Sequence, residues 1–166
     1  MTRRHARYAA LSCSLALSAC LGSVGPDQLR VPTDPATITY APALGVNIAA
    51  MTRDTLGLYY QDIVVGTGPV VGATDSVEVS FTGYLPTGVQ FVSRPADATL
   101  RIRLPSQLLL GFREGLIGMA AGGKRKLVIS PLLAYGFREL RDQDGRTIVP
   151  PNSVLVYDVE LLARHE

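Results

Sequence analysis

Two stretches carry the reading of the fold: Val77-Glu78-Val79-Ser80-Phe81-Thr82, and Val154-Leu155-Val156-Tyr157-Asp158-Val159-Glu160-Leu161-Leu162. In the first, Val77, Val79 and Phe81 share one face, while Glu78, Ser80 and Thr82 share the other. In the second, Leu155, Tyr157, Val159 and Leu161 fall together. A period of two puts alternate side chains on opposite sides of an extended backbone, so both read as strands. Working outward, Tyr59 to Val65 reads as a strand closed by the turn Gly66-Thr67-Gly68-Pro69, and Gly83 to Gly88, with Pro86, reads as another turn. Leu100, Ile102 and Leu104 alternate with Arg101 and Arg103, which form the wet face of a strand. Lys124 to Ser130 places Leu127 and Ile129 on one face and ends at Pro131, with Lys124-Arg125-Lys126 as a solvated strand start. One helical stripe stands among these strands: Leu108, Leu109, Phe112, Leu116 and Ile117, with Ser106 able to cap it and Gly118 to end it. One helix must cover one face of the sheet. The expected architecture is an α+β domain, an antiparallel β-sheet half-wrapped around one short α-helix.

Composition narrows the chemistry. The 166 residues suit one domain with one hydrophobic core. The two histidines are His5 and His165, and the two cysteines are Cys13 and Cys20. The body of the chain therefore offers no histidine for a triad or metal site and no cysteine nucleophile, zinc knuckle or internal disulfide. No metal or cofactor is expected. The formal net charge is +2; setting aside Arg3, Arg4 and Arg7 leaves thirteen basic against fourteen acidic residues, a net of about −1. Such a balance has no electrostatic footprint for nucleic acid.

The first nineteen residues read as a leader. Arg3, Arg4 and Arg7 precede an uncharged, mostly apolar run of twelve residues, Tyr8 to Ala19. That is shorter than the about 20 residues of a spanning helix and fits a secretory signal. It ends Leu17-Ser18-Ala19-Cys20, which resembles the bacterial lipobox, in which the cysteine is acylated and becomes the new N-terminus. More than one acyl chain there gives stable membrane attachment. Leu21, rather than Asp, follows Cys20; by resemblance to the usual sorting pattern, the destination is the outer membrane, facing the periplasm. Residues 20–43, with Pro26, Pro32, Pro35 and Pro42, read as a lipidated tether reaching on the order of 30 Å. Residues 44–57 form an extension, either a short helix or an edge strand, and the folded domain occupies 58–166.

Motifs from Gly57 to Leu162 carry a family resemblance. Val79-Ser80-Phe81-Thr82-Gly83-Tyr84-Leu85, Gly111-Phe112 with Glu114-Gly115-Leu116 and Met119, Gly122 with Lys124 to Pro131, Ala134-Tyr135-Gly136, Ile148 to Ser153 and Leu155 to Leu162 follow in order at near-family spacing. Together they resemble the FKBP-type peptidyl-prolyl cis-trans isomerases. The resemblance implies a pocket between the concave face of the sheet and the helix. Phe112 would be its floor, and Phe81, Phe91, Leu100, Leu109, Val149 and Tyr157 its walls. Tyr135 would hold its hydroxyl at the rim, and the Leu109 N–H would donate to a substrate carbonyl. Gly111 would let the chain turn tightly into the helix. Catalysis would thus rest on Tyr135, Leu109 and Phe112, acting on proline-containing polypeptides without a cofactor. The family's dimerisation region is absent, which implies a monomer.

The chain also departs from the family pattern. Phe112 stands where many members have Trp, Phe81 where Tyr is common, Val92 where Asp is usual, and Leu100 where an aromatic is found. The loop from Phe137 to Thr147 exceeds that of the minimal members. Asp142, Asp144 and Gly145 resemble the start of a calcium loop, but the later ligands are missing and a hairpin tip is the reading. Besides an isomerase of exported proteins, a tethered, non-catalytic module that binds Pro-containing or unfolded chains fits the same residues. An apolar small-molecule carrier would need an empty interior, against which the large inward side chains argue.

Overall fold

The computed structural model describes residues 32–104 and 108–165. In chain order the elements are β1 (Thr52–Arg53), β2 (Tyr59–Val64), β3 (Ser76–Tyr84), β4 (Gln90–Arg94), β5 (Leu100–Arg103), α1 (Leu110–Leu116), β6 (Lys124–Ile129), β7 (Leu140–Arg141), β8 (Thr147–Val149) and β9 (Leu155–His165). Seven strands form one antiparallel sheet in the order β1-β2-β6-β9-β3-β4, with β5 also on β3. β3 pairs with β9 along its whole length, from Ser76↔His165 to Tyr84↔Val156. On its other side it pairs first with β5 and then with β4, so one long strand anchors two short ones. The expected α+β class is what forms.

Packing on the inner face follows the period of two. Val77, Val79, Leu127, Ile129, Leu155 and Leu161 are fully buried there with Phe112 and Leu116 of the helix. α1 has only seven residues, too few to be stable alone, so tertiary packing holds it. Two glycines make that packing close. A Cβ on Gly111 would stand 2.4 Å from Ile129 Cγ2, and one on Gly115 would stand 2.6 Å from both Leu127 δ-carbons. Spaced four apart, they share one helix face and let it lie against β6. Gly111 is therefore needed for close approach rather than for a tight turn into the helix. The helix begins at Leu110 with Leu109 at the cap position and no side-chain cap bond; Ser106, the expected cap, lies outside the described residues.

Its other end is closed from the sheet. Arg125 Nη1 donates to the carbonyls of Gly115 and Ile117 at 3.0 and 3.3 Å, satisfying acceptors that a helix C-terminus leaves open. The same guanidinium grips Asp62 through two bonds of 2.6 and 3.1 Å and lies over the Tyr60 ring, 4.6 Å from its centroid. Lys126 pairs with Asp158. Arg125 and Lys126 are both buried and paired with exposed carboxylates, so of the expected solvated strand start only Lys124 is solvated. Burial of a charge requires such partners. Arg101 and Arg103 are exposed, as expected.

The outer face is also covered. Residues 32–51 run over it through three short 3₁₀ turns, Pro35–Thr37, Pro42–Leu44 and Ile48–Ala50. Leu44 and Met51 pack with Tyr59, Val128, Val154 and Val156, and Ile38, Tyr40, Val46 and Tyr84 close the edge of this second cluster. The Tyr40 hydroxyl donates to Pro35 O at 2.8 Å, and Ala41 N–H donates to Pro86 O at 2.8 Å. The described part of the expected tether is thus a strap that belongs to the folded unit, and residues 44–57 contribute 3₁₀ turns and the two-residue strand β1. Cys20 and the leader lie outside the described residues. Among the described residues no helix is long and apolar enough to cross a membrane, and no group of three or more metal-ligating side chains forms.

Candidate active site

A cavity of about 350 Å³ opens between α1 and the inner face of the sheet. Every element around it contributes an apolar side chain. β3 supplies Phe81, β4 Phe91 and Val92, α1 and its approach Leu108, Leu109 and Phe112, and β9 Tyr157. The loop after β6 supplies Tyr135, and the β7–β8 hairpin supplies Leu140 and Ile148. Among the described residues no charged side chain lines it.

Four rings form the base. Phe112, 3% exposed, meets Phe81 at 5.0 Å and Tyr157 at 5.1 Å between centroids, with interplanar angles of 63° and 68°. Phe91 meets Tyr157 edge-on at 5.7 Å and 83°. Edge-to-face contacts set the positive rim of one ring against the negative face of the next, and each adds about 0.5–1.5 kcal/mol beyond area burial. The floor is therefore rigid as well as apolar. Burial raises the pKa of the Tyr157 hydroxyl, and the nearby Tyr135 pushes it the same way; burial alone raises that of Tyr135. Both phenols stay protonated and able to donate throughout the physiological range.

Of the residues expected at the site, Phe81, Phe91, Leu109, Phe112, Tyr135 and Tyr157 all come together here. Two do not line the cavity. Val149 is buried in the core at 1% exposure, and its neighbour Ile148 faces the cavity, since consecutive strand residues point to opposite sides. Leu100 pairs with Val79 in β5 and packs against the main core away from the cavity. Leu109 precedes the first helical turn, so its N–H has no intrahelical partner.

Sequence reasoning missed four contributors: Gly83, Leu140, Ile148 and Leu108, which it had placed only in the helical stripe. Gly83 belongs to β3, not to a turn. A Cβ there would lie 2.7 Å from Tyr157 Cε1 and Val92 Cγ1 and 2.9 Å from Phe91 Cζ. Its missing side chain makes the room in which those walls stand, and a glycine inside an alternating strand is the signal for such close approach. Leu140 and Ile148 arrive on a hairpin whose tip is tied by Asp142 Oδ1, which accepts from the Asp144 and Arg146 N–H groups at 3.0 and 2.8 Å. The Asp-rich motif is a hairpin tip, as read from the sequence.

A second depression, of about 310 Å³, includes Lys124, Arg125, Asp158 and Glu160. Most of its charges are paired, Lys124 with Glu160 at 3.1 Å, Arg125 with Asp62 and Asp158 with Lys126, and Arg94 also lines it.

The family model for FKBP-type peptidyl-prolyl cis-trans isomerases matches residues 68–162, from the loop before β3 to β9. The chain belongs to this family. Among curated relatives, FKBP-type peptidyl-prolyl cis-trans isomerase FkpA of Escherichia coli is 42% identical over 107 residues, covering 64% of this chain and 37% of FkpA. The probable FKBP-type isomerase of Haemophilus influenzae is 38% identical over 111 residues, covering 64% and 42%. The chain thus spans about two-fifths of the length of these relatives. The crystal structure of Escherichia coli FkpA superposes with a TM-score of 0.60 at 38% identity, covering 69% of this chain and 51% of that one. AtFKBP13 superposes at 0.63 and 31% identity, covering 69% and 98%. The family match, residues 68–162, does not reach the strap described above.

Proposed function

We propose that this cavity accelerates cis-trans interconversion of X-Pro bonds in polypeptides. The observation that carries the reading is an uncharged, ring-floored cavity lined by two tyrosines and by the cap residue of the helix, Leu109, in a domain of this family. Rotation about a prolyl bond must overcome a barrier of roughly 18–20 kcal/mol because resonance makes the C–N bond partly double. In the twisted state that resonance is lost and charge separation falls. An apolar cavity penalises the planar, more polar forms more than the twisted one, which is the differential binding that catalysis requires. Phe112 supplies the floor on which the proline ring rests. The Leu109 N–H and the Tyr135 hydroxyl donate to substrate carbonyls and hold the chain across the cavity. Val92, standing where the family pattern has an acid, keeps the wall apolar and removes an acceptor. No nucleophile, metal or cofactor enters this scheme.

The placement of the activity follows from the leader. A basic n-region, a short apolar run and Leu17-Ser18-Ala19-Cys20 support lipidation at Cys20, twelve positions before Pro32. The domain would then act on exported chains at the bacterial envelope, at the outer membrane, as a monomer. A refolding-limited isomerisation assay tests the activity, with wild type set beside Phe112→Ala and Tyr135→Phe. Acceleration lost in a folded Phe112→Ala variant supports the assignment. No acceleration over a panel of residues before proline overturns it in favour of a tethered binding module, the reading that the missing acid at Val92 favours.

A further inference from the structure

Asn152 stands where three parts of the chain meet. Its φ of +58° is the one positive value at a non-glycine position among the described residues. Most side chains resist that region, and Asn is among the few that tolerate it. The backbone turn aims its N–H at one segment and its two oxygens at another. The Asn152 N–H donates to Gly136 O at 2.8 Å. The side-chain Oδ1 accepts from Thr33 N–H at 3.0 Å, and the Asn152 carbonyl accepts from Thr33 Oγ1 at 3.1 Å. Gly136 directly follows Tyr135, and its own N–H donates to Pro131 O at 2.8 Å. Ile148, on the cavity wall, lies four residues before Asn152.

We propose that Asn152 is a positioning residue: it latches the N-terminal strap, through Thr33, to the turn that presents Tyr135 at the cavity rim. The strap is then a working part of the site and not only a cover for the outer face. The inference rests on the cavity being the site of isomerisation. Its physical content is that the Tyr135–Gly136 turn is irregular backbone outside the strands, and such backbone on general grounds opens more easily unless tied. One hydrogen bond joins it to Asn152, and two more join Asn152 to Thr33, 119 positions away in the chain. The choice of Asn follows: glycine supplies the same φ without the Oδ1 acceptor, whereas Asp supplies both.

The test uses the full chain with Asn152→Gly, Asn152→Asp and Thr33→Ala, measured by amide hydrogen exchange and by isomerisation of a Leu-Pro peptide. Asn152→Gly and Thr33→Ala are expected to speed exchange of the Gly136 and Arg138 amides about tenfold while leaving β9 unchanged. Asn152→Gly should lower kcat/KM about 3- to 10-fold, less than the ~10²-fold that a full 1 Å misplacement can cost. Asn152→Asp should restore both. In a Tyr135→Phe background, Asn152→Gly should add little, because it acts through Tyr135. Unchanged exchange at Gly136 and Arg138 overturns the latch, as does an equal fall in kcat/KM in both backgrounds. Should the wild type accelerate no X-Pro bond, the isomerase reading fails, and the exchange measurement still decides whether strap and rim are coupled.

Discussion

Gly83→Ala is the smallest change that reaches the candidate site, one methyl group, and the structure sets its size. The new Cβ would sit 2.7 Å from Tyr157 Cε1, 2.7 Å from Val92 Cγ1 and 2.9 Å from Phe91 Cζ. Carbon pairs rest at about 3.5–4.0 Å, so three contacts are each short by about 0.6 Å or more. Phe91 and Val92 are only half-buried and lie on the outermost strand of the sheet, so they can retreat. Tyr157 is 4% exposed and wedged against Phe81 and Phe112, so it cannot move without disturbing the floor. Overpacking of this kind costs about 1–3 kcal/mol. For about 130 ordered residues the unfolding entropy makes 1 kcal/mol worth roughly 4 °C, so the expected fall in Tm is roughly 4 to 11 °C. Activity should fall further than stability explains, because the displaced groups are the walls themselves. The assay is a calorimetric melt paired with kcat/KM measured well below the Tm of the variant. A variant that melts within a degree of wild type and retains its kcat/KM would refute the claim that an absent side chain at position 83 makes the room for the cavity.

Arg125→Ala leaves two helix-end carbonyls and the exposed Asp62 without their partner and should cost about 1–3 kcal/mol by denaturant titration, with Arg125→Lys restoring little because a lysine cannot make the forked contacts. Asp75 has its pKa lowered first by the hydrogen bond from Arg164, Nε to Oδ2 at 2.5 Å, and then by Gly72 N–H. A carboxylate with a depressed folded pKa adds stability that is present above its unfolded pKa, near 3.8, and is lost as pH falls through the folded one. Asp75→Asn should therefore lower Tm at pH 7 and flatten the acid limb of the Tm–pH curve below about pH 4. Isomerisation itself should be independent of pH between about 6 and 9, since the only ionisable groups in the cavity are two phenols whose pKa values are raised; a bell-shaped profile centred there would show that a further titrating group takes part.

Five strands and the helix were legible because a half-buried element must repeat its apolar residues at its own period, and Val77, Val79, Leu155 and Leu161 do so without exception; β4 (Gln90–Arg94), which carries Phe91 and Val92, was not read as a strand. The same rule, pressed harder, would have revealed the strap. Leu127-Val128-Ile129 and Leu155-Val156-Tyr157 break alternation by placing an apolar residue on the supposed wet face, and Val128 and Val156 are both completely buried. A strand that is apolar on both faces is covered on both, so two valines out of phase already called for a second layer. The stretch with Leu44 and Met51 is where apolar residues remained to supply it. The buried state of Arg125 left no such trace: its partners Asp62 and the carbonyls of Gly115 and Ile117 meet only once β2, α1 and β6 are folded together. Asn152 is a harder case of the same kind. Its sequence context, Pro150-Pro151-Asn152-Ser153, signals a turn, but a turn residue becomes a latch only through what the fold sets against it. Here that is Thr33 on one side and the residue after Tyr135 on the other. A short-range pattern can name the residues able to face the cavity; the contacts that hold them in place are made between segments far apart in the chain, and those are read from the structure.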